Sequence, residues 1–190
     1  PVPSNTVLVV AGPTASGKSD LAVDVAEEFG GVVINADSMQ IYEGLDIVTA
    51  APGPAARKRA PHKLYGIRDP AMPCSAGDWL ALAEREIRLA HEEALLPIIV
   101  GGTGMYLRTL MTGIAQMPPV DSDIRENVRS RMVRDGSIAL HAELAKIDPK
   151  SAARINASDS QRIARAVEIY EATGKTLTEW QTGGAEAAGG

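Results

Sequence analysis

Hydrophobic and polar positions along this chain follow strand-like and helix-like spacings in turn, and the changes of spacing mark its elements. Thr6 to Ala11 is an apolar, β-branched run closed by Gly12 and Pro13, which predicts a short buried strand. Leu21, Ala22, Val25, Ala26 and Phe29 then fall on one helical face, and Gly30-Gly31 stops that helix. Val32, Val33 and Ile34 form a second strand ending at Asn35-Ala36-Asp37. Strand, helix and strand in such quick succession predict a βαβ unit, and so a parallel sheet with helices on both faces. Ala50 to Ala60 has no period and reads as a loop with at most a turn of helix, and Lys63 to Ile67 as a short strand. Ser75 is a suitable N-cap with Asp78 at the capping-box position, and Leu80, Ala83, Ile87, Ala90 and Ala94 carry an apolar helical face. Pro97 to Val100 is a third buried strand, which ends at Gly101-Gly102-Thr103-Gly104 before a helix from Met105 to Met111.

Beyond Pro118-Pro119 the pattern is helical throughout: Ile124 to Val133, Ile138 to Ile147, Pro149 to Ile155, and Ser158 to Thr173 with Gly174 as the C′ residue. The expected organisation is an α/β core with a parallel sheet over 1–117, a helical second lobe over 118–180, and a flexible Gly- and Ala-rich tail over 181–190.

Composition narrows the function classes. A globular chain with 45% hydrophobic and 23% charged residues is neither a disulfide miniprotein nor a disordered tail. Its one cysteine, Cys74, has no internal partner, and the first residues lack the basic and apolar regions of a signal peptide. No apolar run approaches the roughly 20 residues that span a bilayer, so a cytoplasmic location without a membrane segment is expected. The net charge of -5 disfavours a general nucleic-acid binder, although from Asp121 to Arg165 nine basic residues face seven acidic ones. His62, His91 and His141 show no metal-ligand spacing, and Trp79, Tyr106 and Tyr170 read as packing residues.

The chemistry begins at Gly12-Pro13-Thr14-Ala15-Ser16-Gly17-Lys18-Ser19, which fits G-x-x-x-x-G-K-[ST] between a predicted strand and a predicted helix. Such a loop wraps phosphate oxygens with backbone N–H groups and the helix N-terminus, while Lys18 adds a positive charge and the Ser19 hydroxyl can ligate Mg²⁺. Asp37 lies at the C-terminal end of the second strand, where doubly wound sheets carry their ligands. A carboxylate there can hold Mg²⁺ through water or accept a proton from a nucleophile, or it can simply cap a turn. The third strand ends in glycine rather than aspartate, which weakens a kinase or NTPase reading, and Thr103 brings a hydroxyl to the same edge.

Together with Asn-Ala-Asp-Ser-Met-Gln-Ile-Tyr at 35 to 42, Gly44-Leu45-Asp46-Ile47, Pro61-His62, Val100-Gly-Gly-Thr-Gly-Met-Tyr-Leu107 and Ser160-Gln-Arg-Ile-Ala-Arg-Ala-Val-Glu168, the phosphate loop resembles the ordered signatures of the tRNA dimethylallyltransferases. Adenylate isopentenyltransferases share the first of these and are the near alternative, with a small P-loop kinase or NTPase behind them.

The resemblance implies that the loop from Gly12 to Ser19 holds dimethylallyl diphosphate, with Lys18 opposing the charge that grows on the leaving diphosphate and Mg²⁺ at Ser19. It implies Asp37 as acceptor of the proton of an adenine amino group in tRNA, and Thr103 as a helper at the leaving group or the amine. Asp37, Ser38, Met39 and Gln40, and Gln161, Arg162, Ile163, Ala164 and Arg165, would lie against tRNA, with Arg125 beside them. A monomer is expected. Val48-Thr49-Ala50-Ala51-Pro52 departs from the usual Gly-Thr-Ala-Lys-Pro, and Pro61-His62-Lys63 from Pro-His-His. Similar sequences continue further at the C-terminus, so poor transfer, or none, by this chain alone is expected.

Overall fold

The computed structural model describes residues 5–113 and 117–187. The chain divides into two compact units, Pro1–Thr112 and Gly113–Gly190. The division falls a few residues ahead of the composition change at Pro118.

In the first unit, β1 (Leu8–Ala11), β2 (Gly31–Asn35), β3 (His62–Lys63) and β4 (Leu96–Gly101) form one parallel sheet in the order β1-β4-β2-β3. β4 therefore inserts between the first two strands. The continuous apolar runs of β2 and β4 are buried at every position, as central strands of a covered parallel sheet must be. β1 departs from the expected full burial: it is an edge strand, and Val9 is 39% exposed while Leu8 and Val10 pack inward.

Side chains alternate between two apolar clusters, one on each face of the sheet. Val33, Ile98 and Val100 meet Ala22 and Ala26 of α1 (Lys18–Phe29), together with Ala60 and Tyr65. Ile34 and Ile99 face the other way, toward Trp79 and Ala83 of α3 (Ala76–Glu92) and Tyr106 of α4 (Gly104–Thr112), with Trp79 and Tyr106 stacked at 4.6 Å. Each fully buried Val, Leu or Ile here contributes about 1.5–3 kcal/mol. The buried stripe of α1 is narrower than its sequence pattern suggested. Ala22, Val23 and Ala26 are covered, whereas Leu21 and Phe29 are more than half exposed, because the helix sits close to the strands through its small residues.

That closeness explains Gly30-Gly31. Gly30 ends α1 in the left-handed conformation at φ 67°. Gly31 already belongs to β2, and a Cβ there would stand 2.8 Å from Ile98 Cδ1 and 3.2 Å from the Ala26 Cα. α3 opens with the capping box expected at Ser75 and Asp78, both of its bonds being formed. The unperiodic stretch before it contains α2 (Pro54–Arg59), tied to α1 by Arg59 with Asp24 and Glu27. β3 is shorter than read, with Tyr42 and Arg68 adding one isolated bridge.

The second unit is helical: α5 (Ser122–Ile147), α6 (Pro149–Arg154), α7 (Ser160–Thr173) and α8 (Leu177–Ala187). α5 is broken at Gly136, where φ is 81° and ψ 166°, so the two helices read from the sequence are both present, one folded back on the other. Val128, Leu140, Leu144, Ile163, Ala166 and Val167 form the core, and Arg131 pairs with Glu143 and Glu171 beside it. Asp148 is buried and accepts bonds from Ser151 N–H and from the Thr178 N–H and hydroxyl, joining the starts of α6 and α8. The tail expected to be flexible from Gln181 is helical through Ala187. Thr176 and Glu179 cap the start of α8, and alanine is the strongest helix former in the segment that follows.

Candidate active site at the carboxyl edge of the sheet

The phosphate loop leaves β1 at Ala11 and enters α1 at Lys18. It turns through two left-handed residues, Ala15 at φ 63° and Gly17 at φ 78°. A non-glycine residue in that conformation stores strain, which accumulates where a loop is shaped for a ligand. Gly17 occupies the N-cap without a side-chain acceptor, so the first N–H groups of α1 are left to face whatever the loop encloses. The Lys18 ammonium donates to the Pro13 carbonyl at 2.9 Å, curling the side chain back over the loop.

β4 delivers its turn directly against this loop. A Cβ on Gly102 would lie 3.1 Å from the Gly12 carbonyl oxygen, and one on Gly101 only 2.2 Å from the carbonyl carbon of Ala36. The strand ends of β4 and β2 are therefore in contact, held by Ala36 N–H to Val100 O at 2.7 Å. This contact sets the next residues: Ser38 N–H donates to Thr103 Oγ1 at 2.9 Å, and the Thr103 hydroxyl donates to Ser38 Oγ at 3.3 Å. Asp37 stands half-buried beside them. Its Oδ1 accepts from Met39 N–H at 2.9 Å, while Oδ2 has no hydrogen bond among the described residues. The turn-capping role weighed for Asp37 is thus real, and it leaves one carboxylate oxygen open.

Tyr65 borders the same edge. Burial pushes its phenol above the ordinary value, the Asp37 charge adds to the push, and Arg57, 5.7 Å above the ring, opposes it. Gln40 braces the neighbouring loop, its amide donating to Thr49 O at 2.8 Å while its own carbonyl accepts from Gly66 N–H. The histidines serve structure: His62 contacts Ala60 O, His91 contacts Thr6 O, and His141 contacts the carbonyls of Ala152 and Ile155.

Among the described residues no three His, Cys, Asp or Glu side chains gather at one point. A metal cage made by protein alone is absent from them. Ser19 offers a single hydroxyl in the first turn of α1, which fits an Mg²⁺ that keeps its waters and takes other oxygens from a bound phosphate.

The other candidate residues belong to the helical unit. Gln161 and Arg162 are exposed at the start of α7; Arg162 leans toward Asp159 and Arg165 toward Glu168, each at 3.5 Å. Surface pairs this loose are worth well under about 1 kcal/mol and exchange readily for a phosphate. Arg125 is exposed with no ion pair among the described residues and lines a groove with Ser122, Arg129 and Ser130. Ile163 requires a correction. Its side chain is fully buried in the core with Val128 and Leu144, and Ala164 packs against the same core, so neither side chain reaches out from α7 as Gln161 and Arg162 do.

A family model described as IPP transferase matches residues 40–188, and one described as isopentenyl transferase matches residues 5–63. The chain belongs to the IPP transferase family. A tRNA dimethylallyltransferase of Nitrobacter hamburgensis is 50% identical over 93% of this chain and 56% of its own length. One from Paramagnetospirillum magneticum is 48% identical over 94% of this chain and 56% of its own length. The chain thus spans a little over half the length of the curated relatives it matches. Among solved structures, a eukaryotic dimethylallyltransferase acting on tRNA superimposes with a TM-score of 0.78 at 30% identity, covering 91% of this chain and 43% of that one. The tRNA isopentenylpyrophosphate transferase of Bacillus halodurans gives 0.58 at 38% identity, covering 90% and 57%. Within this IPP transferase chain, no helix among the described residues is long and apolar enough to cross a membrane.

Proposed function

We propose that this chain carries the reaction centre of a tRNA dimethylallyltransferase, which moves a dimethylallyl group from dimethylallyl diphosphate to the exocyclic amino group of the adenosine next to the anticodon. The observation that carries the reading is the convergence of a strained phosphate loop, an open Asp37 oxygen and the Ser38–Thr103 hydroxyl pair on one sheet edge, without an acidic residue at the end of β4. An NTPase would require that acid for its metal more than a prenyl transferase does.

In this reading the diphosphate occupies the loop from Gly12 to Ser19, and Lys18 exchanges the neutral Pro13 carbonyl for an anionic oxygen. As the allylic carbon–oxygen bond lengthens, charge accumulates on the leaving group, where Lys18 and the backbone N–H groups oppose it. Mg²⁺ bound through Ser19 and phosphate oxygens would supply further charge neutralisation. Asp37 Oδ2 accepts a hydrogen bond from the amino group, which is weakly nucleophilic, and takes its proton as the new carbon–nitrogen bond forms. Thr103, oriented by Ser38, faces the leaving group or the amine. A single-stranded loop base can be extruded into such an edge at modest stacking cost. Gln161, Arg162, Arg165 and Arg125 are the residues we assign to the tRNA backbone.

A model described as isopentenyl transferase also matches residues 5–63, and transfer to free adenine nucleotides is the second reading. Incubation with labelled dimethylallyl diphosphate and Mg²⁺, with either unmodified tRNA or AMP, separates the two. Nucleoside mass analysis that finds a prenylated adenosine only in tRNA supports the first reading. Label on AMP supports the second, and label on neither with turnover of ATP would overturn both.

A further inference from the structure

We propose that Asn35 is the positioning residue for Asp37, clamping the Asp37 peptide from both sides and so fixing the direction of its carboxylate. The inference rests on the role given above to Asp37.

Asn35 is the last residue of β2 and is fully buried. Its side-chain Oδ1 accepts from Asp37 N–H at 2.8 Å, and its Nδ2 donates to Asp37 O at 3.0 Å. One amide therefore pairs with the donor and the acceptor of the same residue, as a neighbouring strand would, just where β2 has ended and no strand is left to do so. The second Nδ2 proton goes to Leu64 O at 3.0 Å, which anchors the clamp to the segment that carries Tyr65. The main chain of Asn35 is held as well, its carbonyl accepting from Trp79 Nε1 at 2.8 Å.

Every polar atom of the side chain is used, and two of its three bonds end on Asp37 itself. Only a carboxamide supplies this set: leucine of similar volume has no polar atoms, and a carboxylate would set negative oxygens against two carbonyls. With the peptide of Asp37 held on both sides, the bond from Met39 N–H to Oδ1 fixes the carboxylate, and Oδ2 faces outward. A misplacement of about 1 Å at such a group can lower a rate by about 10²-fold.

The test compares Asn35→Ala and Asn35→Asp with Ile98→Val, which loosens the core of the same sheet but removes none of the bonds of Asn35. Amide exchange and transfer kinetics with dimethylallyl diphosphate and tRNA are both measured. In the Asn35 variants, exchange at Asp37, Ser38 and Met39 is expected to quicken about tenfold relative to the amides of β1 and α1, and kcat to fall about 30- to 100-fold with the donor KM within about twofold. Asn35→Asp preserves volume, and its activity relative to the parent should recover as pH falls, because the protonated carboxyl again donates to a carbonyl. Ile98→Val should quicken exchange evenly and spare kcat. The same even response in the Asn35 variants, an unchanged kcat, or unfolding without selective loosening at Asp37 would overturn the proposal. If the parent chain neither binds dimethylallyl diphosphate nor transfers a prenyl group, the function proposed above fails, and the exchange pattern alone decides the clamp.

Discussion

Replacing Gly101 with alanine tests the contact on which the whole edge depends. The added Cβ would sit 2.2 Å from the Ala36 carbonyl carbon, 2.3 Å from its oxygen and 2.8 Å from its Cα. Carbon atoms attract best at about 3.5–4 Å, so β4 and β2 must part by more than about 1 Å at their ends. The obstacle is main chain, which cannot rotate away as a side chain can. Overpacking in a core costs about 1–3 kcal/mol, and the upper end applies here. Three bonds also lengthen together: Ala36 N–H to Val100 O, Thr103 N–H to Ala36 O, and Ser38 N–H to Thr103 Oγ1. A loss of about 3 kcal/mol corresponds to a fall in Tm of about 10 °C for a chain of this size. Thermal unfolding by circular dichroism reads it, with Gly104→Ala as control, since a Cβ there meets nothing within 4 Å. Gly104→Ala should be neutral or mildly stabilising. A Gly101→Ala protein that melts within a degree or two of the parent would refute the reasoning.

Three other outcomes are expected. Lys18→Ala removes the only side-chain cation of the phosphate loop and should weaken binding of dimethylallyl diphosphate at least about tenfold, measured by calorimetry. Asp37→Asn keeps the shape and removes the base, so transfer should slow by roughly 10² to 10⁴ in a single-turnover assay while donor affinity changes little. In the helical unit, burial pushes the Asp148 carboxyl up, but the bonds from Thr178 and Ser151 outweigh it and hold the group below its ordinary value. The unfolded chain then binds the proton more readily. The stability contributed by Asp148 is full above the ordinary aspartate value of about 4 and is lost as pH drops through the lower folded value. Thr178→Val should flatten that part of the pH–stability curve.

Much of this was legible because it is local. The βαβ start, the capping box at Ser75 and Asp78, and the break of α5 at Gly136 each lie within a few residues of the pattern that announces them. The edge position of β1 was not legible, since its run of apolar residues is the same whether one neighbour or two stand beside it. β3 has two residues, too few for any period. In the site, the motif marked Gly12 to Ser19 and Asp37, but the role of Asn35 depends on partners at 37, 64 and 79, which only the folded chain brings together. Ile163 failed for a related reason. A contiguous motif on a helix points to all sides, and one of its residues had to face the core.

The break at Gly136 also decides the topology of the helical unit. As one straight rod the 26 residues of α5 would reach about 39 Å, and Arg131 and Glu143 would stand about 18 Å apart along its axis. They touch because the chain doubles back. The φ and ψ of Gly136 belong to a region open essentially to glycine alone, and a Cβ there adds about 1–3 kcal/mol of strain. A residue that returned the backbone to helix would open the hairpin into a long lever and leave the same apolar faces seeking the same partners. Two copies could then satisfy each other by exchanging arms. One glycine thus separates a unit that closes on itself from one that closes only as a swapped pair.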